Sequence, residues 1–354
     1  MKLKYRVIFF ILIILFISII CSSCSKNDEE PVDNSKEVSD DMSLQDNSKS
    51  MIGDDKEEDD NEKVDYDIKA KDSEDSKTED SPEKIEDNDT SPWKLLSESS
   101  VETKVEYGGF LNESIGITVG YAGATSYTED GGVTWAESDN VSACRYGLDY
   151  YDESFIVTSG NSGVNLVSID KGKTWTNLTD FPLKRNGEYN KFLSVIDTDN
   201  IYIGSKISLG VSNDGGITWK ELKVPDGCKN IVGMFFMTTE IGYLMSSDGT
   251  LYITNDACES WTTQVIDLQG EKIAISKMPS AAINFQDENN GIIVYSTMSY
   301  KVFGIKTEDG GSTWETIDMP EVHYLAPYIS RDGQYLSLSS SIKKICLYKL
   351  DKEG

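Results

Sequence analysis

An eight-residue pattern that returns five times sets the limits on what this chain can become. Ser212-Asn213-Asp214-Gly215-Gly216-Ile217-Thr218-Trp219 is the clearest copy. Thr128-Glu129-Asp130-Gly131-Gly132-Val133-Thr134-Trp135, Ser168-Ile169-Asp170-Lys171-Gly172-Lys173-Thr174-Trp175 and Thr307-Glu308-Asp309-Gly310-Gly311-Ser312-Thr313-Trp314 follow the same rule. Thr254-Asn255-Asp256-Ala257-Cys258-Glu259-Ser260-Trp261 is a worn copy without either glycine. We call this unit the octad. Its tryptophans are spaced by 40, 44, 42 and 53 residues, a repeat length that marks stacked or radially arranged sheets.

Between octads the chain reads as short strands. Gly116 to Gly120, Asn200 to Gly204 and Gly291 to Tyr295 are β-branched or aromatic runs bounded by turn residues, and each precedes an octad at a similar distance. A further run lies ahead of each, such as Phe192 to Ile196 before Asp197-Thr198-Asp199-Asn200. No stretch sustains helical periodicity. Each unit is therefore strand, turn, strand, loop, strand, octad, strand, and four antiparallel strands every ~40 residues define a β-propeller blade.

The ends of the repeat region complement each other. Trp93, in Ser91-Pro92-Trp93-Lys94-Leu95-Leu96, matches the end of an octad and the strand after it, with no octad in front. At the other end, Leu325 to Ser330, Gln334 to Ser339 and Lys344 to Leu350 supply three strands and no fourth. Pairing the Trp93 strand with the last sheet would close the ring and leave no open edge. The expected fold is all-β: a six-bladed β-propeller over residues 92–352, closed by an N-terminal strand and preceded by a disordered acidic linker. The wide interval between Trp261 and Trp314 is assigned to a loop, Leu268 to Pro279.

The octad resembles the Asp-box (BNR) repeat of bacterial sialidases, sortilin-type receptors and photosystem II assembly factors. The form of the whole repeat is most similar to the photosystem II assembly factor-like group, over about residues 93 to 350. That resemblance places the octads on the face opposite any active or binding site. Asp130, Asp170, Asp214, Asp256 and Asp309, with Trp135, Trp175, Trp219, Trp261 and Trp314, are accordingly read as structural. Gly provides the positive φ of a tight turn, Asp caps nearby amides, and Trp fills the space between sheets. The worn copy at Asp256 is expected to form a looser turn.

The first quarter of the chain has a different character. Lys2, Lys4 and Arg6 precede an apolar run from Val7 to Ile20, whose 14 residues suit a signal peptide better than a spanning helix. Cys21-Ser22-Ser23-Cys24 follows and resembles a bacterial lipobox, with Cys21 where leucine is usual. The resemblance implies a lipoprotein signal peptide over 1–23 and a fatty-acid-bearing Cys24. Between Ser25 and Pro92 there are 26 acidic and nine basic residues, with Tyr66 the only aromatic. Residues 24–91 are thus read as a disordered, self-repelling tether. The net charge of −28 argues against nucleic acid as a partner.

Catalytic signatures are sparse. A sialidase needs three arginines around its substrate carboxylate. Beyond the signal segment this chain has only Arg145, Arg185 and Arg331, and the region Val101 to Gly123 has none. Arg331 reads as a hairpin-turn residue. His323 is the single histidine, which excludes a two-histidine metal site, and no Gly-x-Ser-x-Gly elbow is present. No metal or cofactor is expected. Cys144, Cys228, Cys258 and Cys346 match no zinc spacing and read as buried or unpaired thiols, with one disulfide left open.

A binding site on a propeller belongs over the central channel on the face opposite the octads. The loops that reach it carry Arg145, Tyr146, Arg185, Tyr189, His323 and Tyr324, residue types favoured at recognition surfaces. The sequence thus reads as an envelope-anchored, monomeric, non-catalytic binding or assembly module for a protein or glycan. A divergent glycoside hydrolase of the sialidase superfamily is the alternative.

Overall fold

The computed structural model describes residues 91–101, 105–139, 141, 145–161, 164–181, 189–268, 271–272, 280–297, 301–320, 326–340 and 343–351. The signal segment, Cys24, nearly all of the tether, Cys144, Arg185, His323 and Tyr324 lie outside the described residues.

Six four-stranded antiparallel sheets form the blades of a propeller ring. The first described strand is β1 (Trp93–Ser100). The first blade is β2 (Val105–Phe110), β3 (Gly116–Gly120), β4 (Thr125–Thr128) and β5 (Ala136–Glu137). The second is β6 (Arg145–Asp152), β7 (Phe155–Gly160), β8 (Asn165–Ser168) and β9 (Thr176–Asn177). The third is β10 (Phe192–Val195), β11 (Ile201–Gly204), β12 (Leu209–Ser212) and β13 (Lys220–Leu222). The fourth is β14 (Ile231–Phe236), β15 (Gly242–Ser246), β16 (Thr250–Thr254) and β17 (Thr262–Val265). A two-stranded hairpin, β18 (Asp267–Leu268) with β19 (Glu271–Lys272), occupies part of the long interval assigned to a loop. The fifth blade is β20 (Ser280–Phe285), β21 (Gly291–Ser296), β22 (Val302–Thr307) and β23 (Glu315–Ile317). The sixth is β24 (Ala326–Ile329), β25 (Tyr335–Ser340) and β26 (Lys344–Leu350), with β1 as its outer strand. Ring closure by the Trp93 strand is borne out.

The core is distributed over the seams. Each of six buried clusters joins neighbouring blades rather than the faces of one, and one of them, with Tyr328, reaches across the first, second and sixth. Tyr202 stacks on Phe236 across one seam with ring centroids 3.6 Å apart, and Tyr243 on Phe285 across the next at 3.8 Å. Cross-strand partners explain the glycines that begin the second strands. Phe110, Phe236 and Phe285 face Gly116, Gly242 and Gly291, and a Cβ at any of these glycines would overlap the phenylalanine ring.

The octad turns are built the same way in all five copies. In the first, the Thr128 hydroxyl donates to Asp130 Oδ1 at 2.8 Å and accepts from the Gly132 N–H at 3.0 Å. Asp130 in turn accepts from the Thr134 N–H at 2.9 Å and the Thr134 hydroxyl at 2.7 Å. These bonds favour the carboxylate, and the Thr134 hydroxyl is the first cause holding the Asp130 carboxyl down at about 2. Four of the five turns also bond to the first hairpin of their own blade, as in Gly131 N–H to Ser114 O at 2.8 Å and Gly215 N–H to Asp199 O at 2.9 Å. The octads therefore share one end of the ring with the first hairpins, and the inner strands begin at the other.

The octads also latch blades together, a role the sequence reading did not assign. Ser99 donates to Gly132 O at 2.7 Å, Thr179 N–H to Gly216 O at 3.1 Å, and Gln264 to Gly310 O at 3.4 Å, each from the preceding blade.

The worn octad is a correction to expectation. Its bonds are as short as the others: Cys258 N–H to Thr254 Oγ1 is 3.0 Å and the Ser260 hydroxyl to Asp256 is 2.6 Å. The turn is not looser because side-chain bonds, which the glycines do not supply, fix its shape. The cost appears in the backbone, where Ala257 and Cys258 are held at φ of 58° and 71°. A left-handed residue with a Cβ costs roughly 1–2 kcal/mol, and glycine returns part of that gain as unfolded-state entropy. Exposed Ala257→Gly should therefore stabilise by about 0.5–1 kcal/mol, a Tm rise of roughly 1–4 °C. A lower Tm by calorimetry would show that the turn is not strained.

Cys228 and Cys258 are unbridged thiols, and Cys346 is fully buried in the sixth blade. Burial, followed by the neighbouring Asp256, pushes the Cys258 thiol up to about 12.

Candidate functional site

The hairpin register sets residues of the inner strands at matched levels around the axis. At one such level stand Gly109, Asp149, Ser194, Phe235, Asn284 and Tyr328, each one residue before the end of the first-hairpin pairing except Asp149, after which the pairing runs on through a bulge to Asp152. Gly109 has no Cβ because the Tyr328 ring occupies that space. Tyr328 in turn donates to Asp149 Oδ1 at 3.4 Å, and Asp149 Oδ2 accepts the Val195 N–H at 2.7 Å.

Arg331 completes this layer. It sits in the first hairpin of the sixth blade, as its sequence context implied, but its side chain points across the channel. Its Nη1 lies 3.6 Å from Asp149 Oδ2, and its Nη2 donates to Phe236 O at 2.9 Å. The guanidinium carbon is 5.4 Å from the centroid of the Phe235 ring. The Arg331 N–H donates to the Tyr150 hydroxyl at 3.2 Å, which itself donates to Leu111 O at 3.0 Å. One residue thereby ties the sixth blade to the second and fourth. Burial raises the Asp149 carboxyl above its ordinary range and outweighs the lowering by Arg331. Burial likewise keeps Tyr107 and Tyr328 as neutral phenols.

These groups fill the channel. The space left among Tyr107, Asp149, Lys191, Phe235, Tyr328 and Arg331 is about 50 Å³, room for a few water molecules. No substrate-sized ligand enters it, and Asp149 is the one carboxylate on its wall among the described residues.

Other described residues lie at the face where the inner strands begin. Tyr146, from the second blade, and Tyr189, just before the third, meet with ring centroids 4.3 Å apart and planes tilted by 36°. Tyr189 is held by a backbone bridge to Asn161, and Asn190 N–H donates to Gly160 O at 3.2 Å. Tyr121, 57% exposed, occupies the turn packed beside β6. Lys191 and Lys206 lie on the same side; burial, and then Lys206, pushes the Lys191 ammonium down to about 8, while Glu106 opposes the shift.

Of the six loop residues singled out by sequence, the structure thus brings Tyr146 and Tyr189 together. It places Arg145 inside: the side chain is 0% exposed and donates from Nη1 to Val164 O at 3.0 Å. A bulge after the first residue of β6 explains this. Val105 and Ile231 begin β2 and β14 with the same bulge and are also buried, so Arg145 stands in an aliphatic position. Sequence reasoning missed Asp149, Lys191 and the reach of Arg331. Aligning the inner strands would have flagged Asp149 as a carboxylate in an inward-facing register.

No group of three His, Cys, Asp or Glu side chains among the described residues is placed to hold a metal ion. No described helix is long and apolar enough to cross a membrane.

The sequence matches no family model and no curated protein. Among solved structures, U3-55K superposes with a TM-score of 0.53 at 11% identity, over 73% of this chain and 98% of that one. The RRP9 WD40 repeats give 0.53 at 11% identity, over 73% and 97%. YCF48 bound to a D1 peptide gives 0.45 at 13% identity, over 74% and 96%. At these identities the similarity is one of fold alone.

Proposed function

We propose that this chain is a non-catalytic binding or assembly module, held at a bacterial cell envelope through a lipid on Cys24 and displayed on the tether of residues 24–91. Its propeller engages a protein partner through the face where the inner strands begin. The observation that carries this reading is the Tyr146–Tyr189 pair, seated across two blades beside Lys191 above a filled channel. Rigid aromatics with a neighbouring cation are the residue types that dominate recognition energetics. Most glycoside hydrolases set two carboxylates about a cleft that admits a sugar, and sialidases, which use a tyrosine nucleophile, still need that cleft and an acid/base carboxylate. The channel wall described here has one carboxylate, bound to Arg331, and about 50 Å³ of space.

The test uses the full chain as bait in envelope extract, with a Tyr146→Ala/Tyr189→Ala variant beside it. Loss of an interface tyrosine costs about 2 kcal/mol or more, so the pair should lower capture at least ~30-fold with little change in Tm. Undiminished capture by the variant would place the interface elsewhere. Binding should also weaken between pH 7 and 9, as Lys191 loses its charge through about 8. Labelling with a radioactive fatty acid should disappear in Cys24→Ala.

A further inference from the structure

The octad end of the second blade departs from the pattern of its neighbours. In the first, third and fourth blades the residue after the inner strand, Leu111, Ile196 or Met237, packs into a seam cluster. Its N–H donates to the carbonyl four residues on, at 2.8 Å for Leu111 and 3.0 Å for the other two. In the second blade the hairpin instead pairs one step further, Asp152 with Phe155, and the register shift falls at Tyr151. The bulge turns out the residue that its equivalents bury, and Tyr151 is 45% exposed.

The octad of this blade is altered as well. Its second residue is Ile169, 54% exposed, where the other copies have Glu or Asn. Its fourth is Lys171, held at a φ of 64° where three copies have glycine. The Lys171 N–H makes no bond to the hairpin, unlike its equivalents in the other four turns, and its Nζ reaches Glu153 Oε2 at 3.1 Å instead. Asn112 of the first blade donates to Glu153 Oε1 at 2.9 Å, and the Ser154 N–H donates to Asp152 Oδ1 at 2.8 Å. The hairpin that carries Tyr151 is thus braced from both sides, so little freedom is left to lose on binding.

The surroundings decide what binds. Continuing the β7–β8 register sets Ile169 opposite Phe155, at the same end of the blade as Tyr151. Val133, 81% exposed, lies on the adjoining octad, whose Glu129 pairs with Lys173 at 2.8 Å. Among the described residues, the octad face of the first three blades exposes Val133, Tyr151, Ile169 and Ile217, and that of the other three exposes no large apolar side chain. Single exposed apolar residues need no explanation, but this grouping marks one side of the ring. The first hairpins and octads of the first two blades, residues 111–115, 128–135, 151–155 and 168–175, carry six carboxylates and two lysines. Both lysines are engaged by Glu129 and Glu153, so the charge left over is negative. It repels an anionic lipid surface and a second copy of this chain, whose net charge is −28, and attracts a surface of opposite sign.

We propose that the octad end of the second blade is a second interface, where a protein presenting lysine or arginine side chains around an apolar pocket docks over Tyr151, with Ile169 and Val133 beside it. This interface lies at the opposite end of the ring from Tyr146 and Tyr189, and it does not rest on the reading of that face.

Photo-crosslinking of the full chain in the cell that makes it is the test, with p-benzoylphenylalanine at position 151 and, as control, at position 265 on the outer strand of the fourth blade. Position 151 should give a discrete adduct that position 265 does not, and mass spectrometry should map the link to a lysine- or arginine-rich surface of another protein. That protein, purified, should bind the full chain with a Kd that rises at least ~30-fold in Tyr151→Ala. Ile169→Asn, which installs the residue of two other copies, should raise it roughly three- to tenfold, while Tyr146→Ala/Tyr189→Ala leaves it unchanged. Added salt should weaken the parent complex. The proposal fails if position 151 gives no adduct, if the adduct is with lipid or a second copy, if the linked surface is acidic, or if Tyr151→Ala and Ile169→Asn bind as the parent does.

Discussion

Deleting the chain through Ser100 should abolish cooperative folding of the propeller. β1 is the only strand contributed from the far end of the repeat region, and it pairs with β26 from Trp93↔Leu350 to Ser100↔Lys344. Trp93, 1% exposed, packs in the seam with Leu336, Leu338 and Tyr348. The closure is reinforced along its length. Asp351 N–H donates to Pro92 O at 2.8 Å, Ser91 donates to Asp318 O of the fifth blade at 3.0 Å, and Lys94 and Lys344 pair with Asp351 and Glu98. Those surface pairs add little, so the apolar seam decides the outcome. Truncating a buried tryptophan costs about 3–5 kcal/mol, against a total stability of about 5–15 kcal/mol for a domain. Trp93→Ala should lower Tm by roughly 6–20 °C. The deletion also bares the edge of β26, so association through that edge is expected. Circular dichroism melts and size-exclusion chromatography measure both effects. A monomeric truncated chain with the parent Tm would show that β1 is dispensable.

The fold was legible because the octad couples local chemistry to global geometry. Its Ser/Thr, Asp and Thr make a self-contained turn, and such a turn can be recognised without knowing what lies around it. Spacing then counted the blades, and Trp93 revealed the shared one because it looked like an octad end without an octad. The latch function stayed hidden for the complementary reason. Ser99, Ser138 and Thr179 carry no local signal, and their partners lie 33 to 37 residues away, one blade further on.

The site was only half legible. Tyr146 and Tyr189 were found by residue type in loops, and the ring brought them together. Arg145 was chosen by the same rule and failed to reach the surface, because one extra residue at the bulge reverses which way a strand side chain points. Arg331 was correctly placed in a turn, yet its partners lie 95 to 182 residues away on the other side of the axis. Closure of the ring, rather than any local pattern, creates that contact.

Asp149→Ala should be the most damaging single substitution on the channel wall. It leaves the Arg331 guanidinium, whose side chain is 17% exposed, without its counter-charge, and it strips the Val195 N–H of its acceptor. Removing one member of a buried ion pair costs about 3–5 kcal/mol, much of it the penalty of the charge left behind. The pair itself need not be strongly stabilising, and this separates the two effects. In Asp149→Asn/Arg331→Met, an amide oxygen can still accept from Val195 and no charge is stranded, so stability should return to within about 1–2 kcal/mol of the parent. The pH dependence follows from the sign of the shift. Asp149 titrates above its unfolded range, so its favourable contribution is present at low pH and is lost as pH rises through its folded value. The octad carboxylates behave oppositely: their contribution is held above the ordinary carboxylate range and lost as pH falls, in Asp130 through about 2. The cost of Asp149→Ala should therefore grow on acidification, where the parent gains the contribution of the protonated Asp149 and the variant has no such group, while acid unfolding by the octads persists in every variant. Chemical denaturation across pH 3 to 8 resolves the two. If the double variant is as unstable as Asp149→Ala, the stranded charge is not the cause, and the damage lies in the packing around Tyr328 and Phe235.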